Sequence, residues 1–309
     1  MLFIDILNAS TNKIKDEFQQ LFDSVVKNQS HAGDLLLVLV NGFYNPDVHN
    51  WTLEEKTSPY MIGPNLDGLS EDLHYKFIHD YRTNGLAKIT FEEYLSTIEY
   101  SSEHKEHIDK LIELESSTIQ LEMLIYLKMW EADAFIKKFY QIVRLIYNEP
   151  YDWHFKINES NRDDTATGKR HEIIRLKVRE RLKEKFPNLY SSFKTAYLTQ
   201  IRNSIAHSQY SFLGRNIHPN NFVSNDKSAQ LRNLPFNDWI LMFHETMVIY
   251  NQYIGFKNLI MDYYEQEALK NNNICEIRIC RKDPKEYIQY LNLRFRPQYK
   301  DWKWDTEPE

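Results

Sequence analysis

"LIELESSTIQLEMLIYLKMWEADAFIKKFYQIVRLIY", residues 111–147, decides the fold class. Leu111, Leu114, Leu121, Leu124, Ile125, Leu127, Ile136, Phe139, Val143 and Ile146 recur at the three- and four-residue spacing that keeps one face of a helix apolar. A single helix over the whole run would reach roughly 55 Å. Ser116–Thr118 is the expected place for any break. "NEPYDWHF" (148–155) stops the run, because Pro150 cannot continue a helix.

The same periodicity extends to either side. Ile14, Phe18, Leu21, Phe22 and Val25 mark a helix within residues 11–29. "DLLLVLVNGFY" (34–44) is short and apolar, and a buried strand is the favoured reading over a buried helical turn. Residues 45–68 carry three prolines and two glycines and read as a long loop. Short helices are expected at 70–82 and 91–100, the second opened by a Thr90/Glu93 capping box. Beyond the polar stretch at 158–168, a charged helix is expected from Lys169 to Phe186, with an apolar stripe at Ile174, Val178, Leu182 and Phe186. Pro187 ends it. Further helices are expected from Ser191 to Ser208 and from Phe236 to Leu269, with a loop at 211–235 between them. "ICEIRICRK" and "YIQYLNLRFR" alternate as strands do and make a C-terminal β-hairpin. The expected class is therefore mainly α, in three consecutive parts: an α-rich N-terminal segment (1–101), a helical domain (102–270) and a β-hairpin tail (271–309).

Composition narrows the functional classes. The chain has 309 residues, 42% of them hydrophobic and 27% charged, as a globular protein does. Its net charge of −6 excludes a wholly basic nucleic-acid binder, so any such contact needs a local patch. Cys275 and Cys280 are the only cysteines, too few for a disulfide framework or a closed Cys-only zinc site. A reducing, cytoplasmic setting is expected. No signal peptide is evident at the N-terminus, and the longest apolar run, Leu35 to Val40, is too short to span a bilayer.

"IRNSIAHSQY" (201–210) carries the chemistry. On a helix turning about 100° per residue, Ile201, Ile205, Leu198 and Tyr197 form an apolar stripe. Asn203 and His207 fall on the opposite face as i, i+4 neighbours, with Arg202 on the flank. Ser204 and Ala206 are small enough for close approach. An ordinary solvated face would carry Glu and Lys instead.

Arg202, Asn203 and His207 resemble the Arg-x4–6-His motif of the HEPN superfamily (higher eukaryotes and prokaryotes nucleotide-binding), in which the residue after Arg is often Asn, Asp or His. Residues ~102–270 match that family's order of long helices, with the motif late in the chain and a helix after it. With 14 Arg and 11 His in the chain, Arg-x4-His arises by chance about 0.5 times; requiring Asn after Arg lowers this to ~0.04. The resemblance implies an all-α domain and a metal-independent ribonuclease that dimerises to bring two motifs together. It further implies a toxin or antiphage effector, with an antitoxin or defence protein as a possible partner. No cofactor or metal is expected.

RNA supplies its own nucleophile, the 2′-OH. His207 is the side-chain type suited to acid–base work near neutral pH. Arg202 offers a charged planar fork for phosphate oxygens, and Asn203 is placed to orient the His207 ring. Glu131 and Asp133 in "MWEADAF" are further candidates, since acidic residues on an earlier helix sometimes accompany the family motif. Lys169 to Lys185 holds eight basic residues against three Glu, and Lys177 and Arg181 represent this patch as an RNA contact. Tyr210, Phe212 and Arg215 are candidates to stack on and grip a single strand. A catalytically inactive HEPN-like RNA- or nucleotide-binding or dimerisation module is the alternative; a helical interaction protein whose motif is coincidental is a third reading. "HKEH" (104–107) lacks HExxH order and a third ligand, and "ATGKRHE" lacks a P-loop pattern. "CEIRIC" places its two thiols on opposite faces of a strand.

Overall fold

The computed structural model describes residues 1–41, 61–62, 67–68, 75–98, 104–153, 155, 157, 170–225, 229–281, 285 and 287–305. Most of the expected 45–68 loop and all of 158–168 lie outside them. The chain is mainly α, with a small antiparallel sheet at its C-terminal end. It divides into two compact units, each assembled from three separate segments. The first comprises Met1–Glu17, Leu73–Ala132 and Lys183–Gln252; the second comprises Phe18–Asp72, Asp133–Leu182 and Tyr253–Glu309. These segments alternate along the chain, so the boundaries expected at 101/102 and 270/271 do not coincide with those of the units.

The first unit holds the start of α1 (Ile4–Asn28) with α3 (Tyr75–Asn84), α4 (Phe91–Ser96) and α5 (Lys105–Trp130). The α4 helix begins with the expected capping box, in which the Thr90 side chain accepts from the Glu93 N–H and the Glu93 carboxylate accepts from the Thr90 N–H. Phe3, Tyr94 and Ile240 form one buried cluster beneath it. The α5 helix runs through Ser116–Thr118 without a break. Ser116 Oγ donates to Ile112 O at 2.7 Å and Thr118 Oγ1 to Leu114 O at 2.9 Å, so the hydroxyls are satisfied inside the helix. The long run breaks instead at Glu131–Ala132, after which α6 (Asp133–Ile146) begins in the second unit with Asp133 in its first turn.

The second unit corrects the strand expected at 34–44. Asp34–Val40 is a helix, α2, with every residue buried. Four of its seven residues are Leu, a good helix former, and only Val38 and Val40 are β-branched. Gly33 precedes it because a Cβ there would lie 2.2 Å from the carbonyl oxygen of Glu276. Asp34 accepts from Arg278 at 3.0 Å, tying α2 to the C-terminal sheet. The helix expected at 169–186 is described from Arg170 as α7 (Arg170–Glu172), a π-helical stretch (Ile173–Arg179) and α8 (Glu180–Leu182). Its stripe of Ile174, Val178 and Leu182 is buried as expected.

Back in the first unit, Pro187 sits at the start of α9 (Pro187–Ala196), where a missing N–H costs nothing. The single helix expected at 191–208 is two helices. Tyr197 and Leu198 are extended, and α10 (Thr199–Ala206) follows. Tyr197 is buried with its ring centroid 5.1 Å from that of Trp130, and the Leu198 N–H donates to Tyr126 Oη at 3.3 Å. These tertiary contacts hold the extended link between the two helices.

The 211–235 loop is largely irregular as expected but carries a small three-stranded antiparallel sheet: β3 (Tyr210–Phe212), β4 (Asn216–Pro219) and β5 (Leu234–Pro235), numbered after the two-residue strands β1 (Met61–Ile62) and β2 (Asp67–Gly68). Gly214, at φ +56°, makes the β3–β4 turn. The α11 helix (Phe236–Lys270) supplies core to both units. It leads to the C-terminal sheet, where β6 (Ile274–Arg281) pairs with β7 (Tyr287–Arg296) in the expected hairpin, with Cys275 opposite Leu293 and Cys280 opposite Ile288. A third strand, β8 (Asp301–Trp304), completes that sheet.

Candidate functional site

The motif is built on α10 and its end. Ile201, Ser204 and Ile205 are buried, which fixes the rotation of the helix. Gln200 clasps the following β insertion: its Nε2 donates to Leu231 O at 2.8 Å, and its Oε1 accepts from the Leu231 N–H at 2.7 Å. The helix ends at Ala206. His207 is the C-cap residue, its N–H bonded to Asn203 O, and Ser208 turns into the left-handed region at φ 53°. The Gln209 N–H then closes onto Ser204 O at 2.7 Å, and β3 begins. The His207 imidazole is thus carried on the last, irregular turn. It is exposed, and its side chain bonds to no other described residue.

Arg202 behaves differently. Its side chain is only 12% exposed, and the guanidinium is gripped by Glu131, the residue just past α5. Nη2 donates to Glu131 Oε2 at 2.5 Å, and Nε faces Oε1 of the same carboxylate. Nη1 donates to Asn203 Oδ1 at 2.8 Å. The fork-on-carboxylate geometry is the strong, orientation-fixing form of an ion pair. Glu131, Arg202 and Asn203 therefore form one connected set. The expected orienting role of Asn203 toward His207 is corrected: its carboxamide oxygen accepts from Arg202, and His207 meets Asn203 through the backbone.

The other expected residues have partners of their own. Asp133 belongs to the second unit and pairs with Arg170 at 2.6 Å and Lys137 at 4.0 Å. Lys177 and Arg181 are also in the second unit. Lys177 lies over the Tyr140 ring, and Arg181 holds Glu149 at 2.5 Å while lying over Tyr147. Glu149 is held below the usual carboxylate range, first by the hydrogen bond from Arg181. Arg170, Arg179 and Arg181 each meet a carboxylate, so much of the local positive charge is internally balanced.

Arg215 is corrected as well. Its side chain is 11% exposed, and it donates twice to the buried Glu115, at 2.8 and 2.7 Å, and once to Asn237. That engagement removes the fork proposed for gripping a strand. Tyr210 and Phe212 are half-buried and edge-packed in sequence, with Phe212 edge-on to Phe236 at 5.8 Å.

Sequence reading missed the buried carboxylates of α5. Glu115 anchors Arg215 and Tyr94, and Glu122 accepts from Trp239 Nε1 at 2.7 Å and Tyr81 Oη at 2.6 Å. Their signal was the apolar face itself: Glu115, Ile119 and Glu122 lie three and four residues apart on the side of the helix that faces the core. Among the described residues, no group of three or more His, Cys, Asp or Glu side chains could hold a metal ion, and no helix is long and apolar enough to cross a membrane. No family model, curated protein or solved structure matches the chain.

Proposed function

We propose that the protein is a metal-independent RNA endonuclease, HEPN-like in its motif and active as a homodimer. The observation that carries this reading is a contrast along one short helix. His207 is exposed at a helix end with its ring uncommitted, while Arg202, five residues earlier, is held rigidly by Glu131 and Asn203. An exposed imidazole and a fixed permanent cation carried by the same short helix are the kinds of group that phosphodiester transesterification needs. In the proposed reaction His207 takes the 2′-OH proton, O2′ attacks phosphorus, and the P–O5′ bond breaks. The partner's His207, as imidazolium, protonates the leaving O5′. The products are a 2′,3′-cyclic phosphate and a 5′-OH end. Arg202 stabilises the pentacoordinate phosphorane through its fixed guanidinium, shared with Glu131. Lys177 and Arg181 take no part in this reaction; an antitoxin or defence partner is an expectation from the resemblance, and a cytoplasmic setting one from the cysteine content.

A second reading is favoured by one specific observation. Glu131 already neutralises the Arg202 fork, as a structural ion pair would, and the module would then bind RNA or dimerise without cleaving. Incubating the purified chain with total RNA in EDTA separates the two. Endonuclease action predicts cleavage that survives chelation and leaves 2′,3′-cyclic phosphate ends. Loss of cleavage in EDTA with rescue by Mg²⁺ contradicts the mechanism, and RNA retention without cleavage selects the second reading.

A further inference from the structure

A cleft of about 370 Å³ opens within the first unit between one face of α1, the end of α3 and Asn251 of α11. It shares no lining residue with the Arg202–His207 site. Its volume falls in the range of small-molecule pockets, roughly 300–1,000 Å³. Ile4, Leu7, Asn8 and Thr11 present one continuous helix face to it, at the spacing i, i+3, i+4, i+7. Leu7 is buried at the base, while Ile4 and Leu86 remain 47% and 40% exposed in a concave place. Apolar surface of that kind gains most from a ligand that displaces its water.

Asn8, Asn251, Arg82 and the His79 ring hydrogen-bond to no other described side chain, whereas the neighbouring Thr83 is already committed to His79 O at 3.1 Å. No Asp or Glu is among the described residues of the lining. Arg82 pairs with no described carboxylate, so its permanent charge in the wall of a concavity attracts anions. The His79 ring is flat against Tyr75, with centroids 5.6 Å apart at 15°.

We propose that this cleft binds a small phosphorylated ligand with a planar, hydrogen-bonding body, the size of a nucleoside monophosphate. The Arg82 fork matches phosphate geometry. The carboxamides of Asn8 and Asn251 each present a donor beside an acceptor, the complement of a heterocycle edge. The Ile4, Leu7 and Leu86 floor covers the body. This site is independent of the nuclease reading and stands or falls without it.

Titration calorimetry on the full chain tests it, with AMP, UMP and inorganic phosphate as probes and Arg82→Gln and Asn8→Ala as variants. Both substituted residues are exposed, so unchanged melting temperatures are expected and show that the variants fold. The proposal expects at least one nucleotide to bind with Kd below about 1 mM, and inorganic phosphate at least about tenfold more weakly. Each substitution should weaken the nucleotide at least about tenfold, and His207→Ala should leave its affinity unchanged. Failure of both nucleotides to bind, phosphate binding as tightly as a nucleotide, or affinity untouched by Arg82→Gln overturns it.

Discussion

At the scale of single residues, two histidines of the first unit show how environment sets a role. His207 sits in water at a helix end. His244 is fully buried on α11, where its Nε2 accepts the Phe3 N–H at 2.7 Å and its Nδ1–H donates to Ile240 O at 2.6 Å. Those bonds require the neutral ring, and burial lowers its pKa from 6.5 to about 4. The folded state thus resists a proton that the unfolded chain accepts. His244 contributes full stability above pH 6.5, and this is lost as pH falls from 6.5 towards about 4, by an amount on the order of 3 kcal/mol. Urea midpoints measured from pH 7 to 4.5 should fall more steeply for the parent than for His244→Gln; parallel profiles would contradict the assignment. The sequence could not separate these two histidines by type. Helical position marked His207 as lying off the apolar stripe, but the Arg202–Glu131 pair joins residues 71 apart and only the fold reveals it.

At the scale of elements, local chemistry was the legible part. The Thr90/Glu93 box was readable because both of its bonds form within four residues, and the structure contains both. Thr90→Ala removes the acceptor for the Glu93 N–H and should cost about 1 kcal/mol, read as a lower urea midpoint at unchanged slope. A change of only a few tenths would mean that Asp5, which also accepts from the Phe91 N–H, suffices as the cap. The C-terminal hairpin was legible for a similar reason, as alternation survives in both strands. Elements governed by distant partners were not. Asp34–Val40 is buried on all sides, so it carries no periodicity to distinguish helix from strand. The α9–α10 break depends on Trp130 and Tyr126, and the strands at 210–235 are too short to carry a pattern.

At the scale of the whole molecule, mainly α architecture follows from periodicity, but the division into units does not. The first and third segments of each unit lie more than a hundred residues apart in the chain, as the Phe3–His244 bond illustrates. The functional account makes its central demand at this scale too. One His207 per chain cannot serve as base and acid in the same turnover, so the proposed enzyme must be a two-fold dimer with both motifs at one site. The most direct measurement pairs RNA cleavage in EDTA with melting temperature and dimer mass for His207→Ala. Because His207 is exposed and off the core stripe, stability should stay within ~0.5 kcal/mol of the parent. The dimer should persist, and cleavage should fall by about 10²–10⁴. A folded, dimeric His207→Ala protein that still cleaves RNA at the parental rate, or a parent chain that is monomeric while active, would contradict the account.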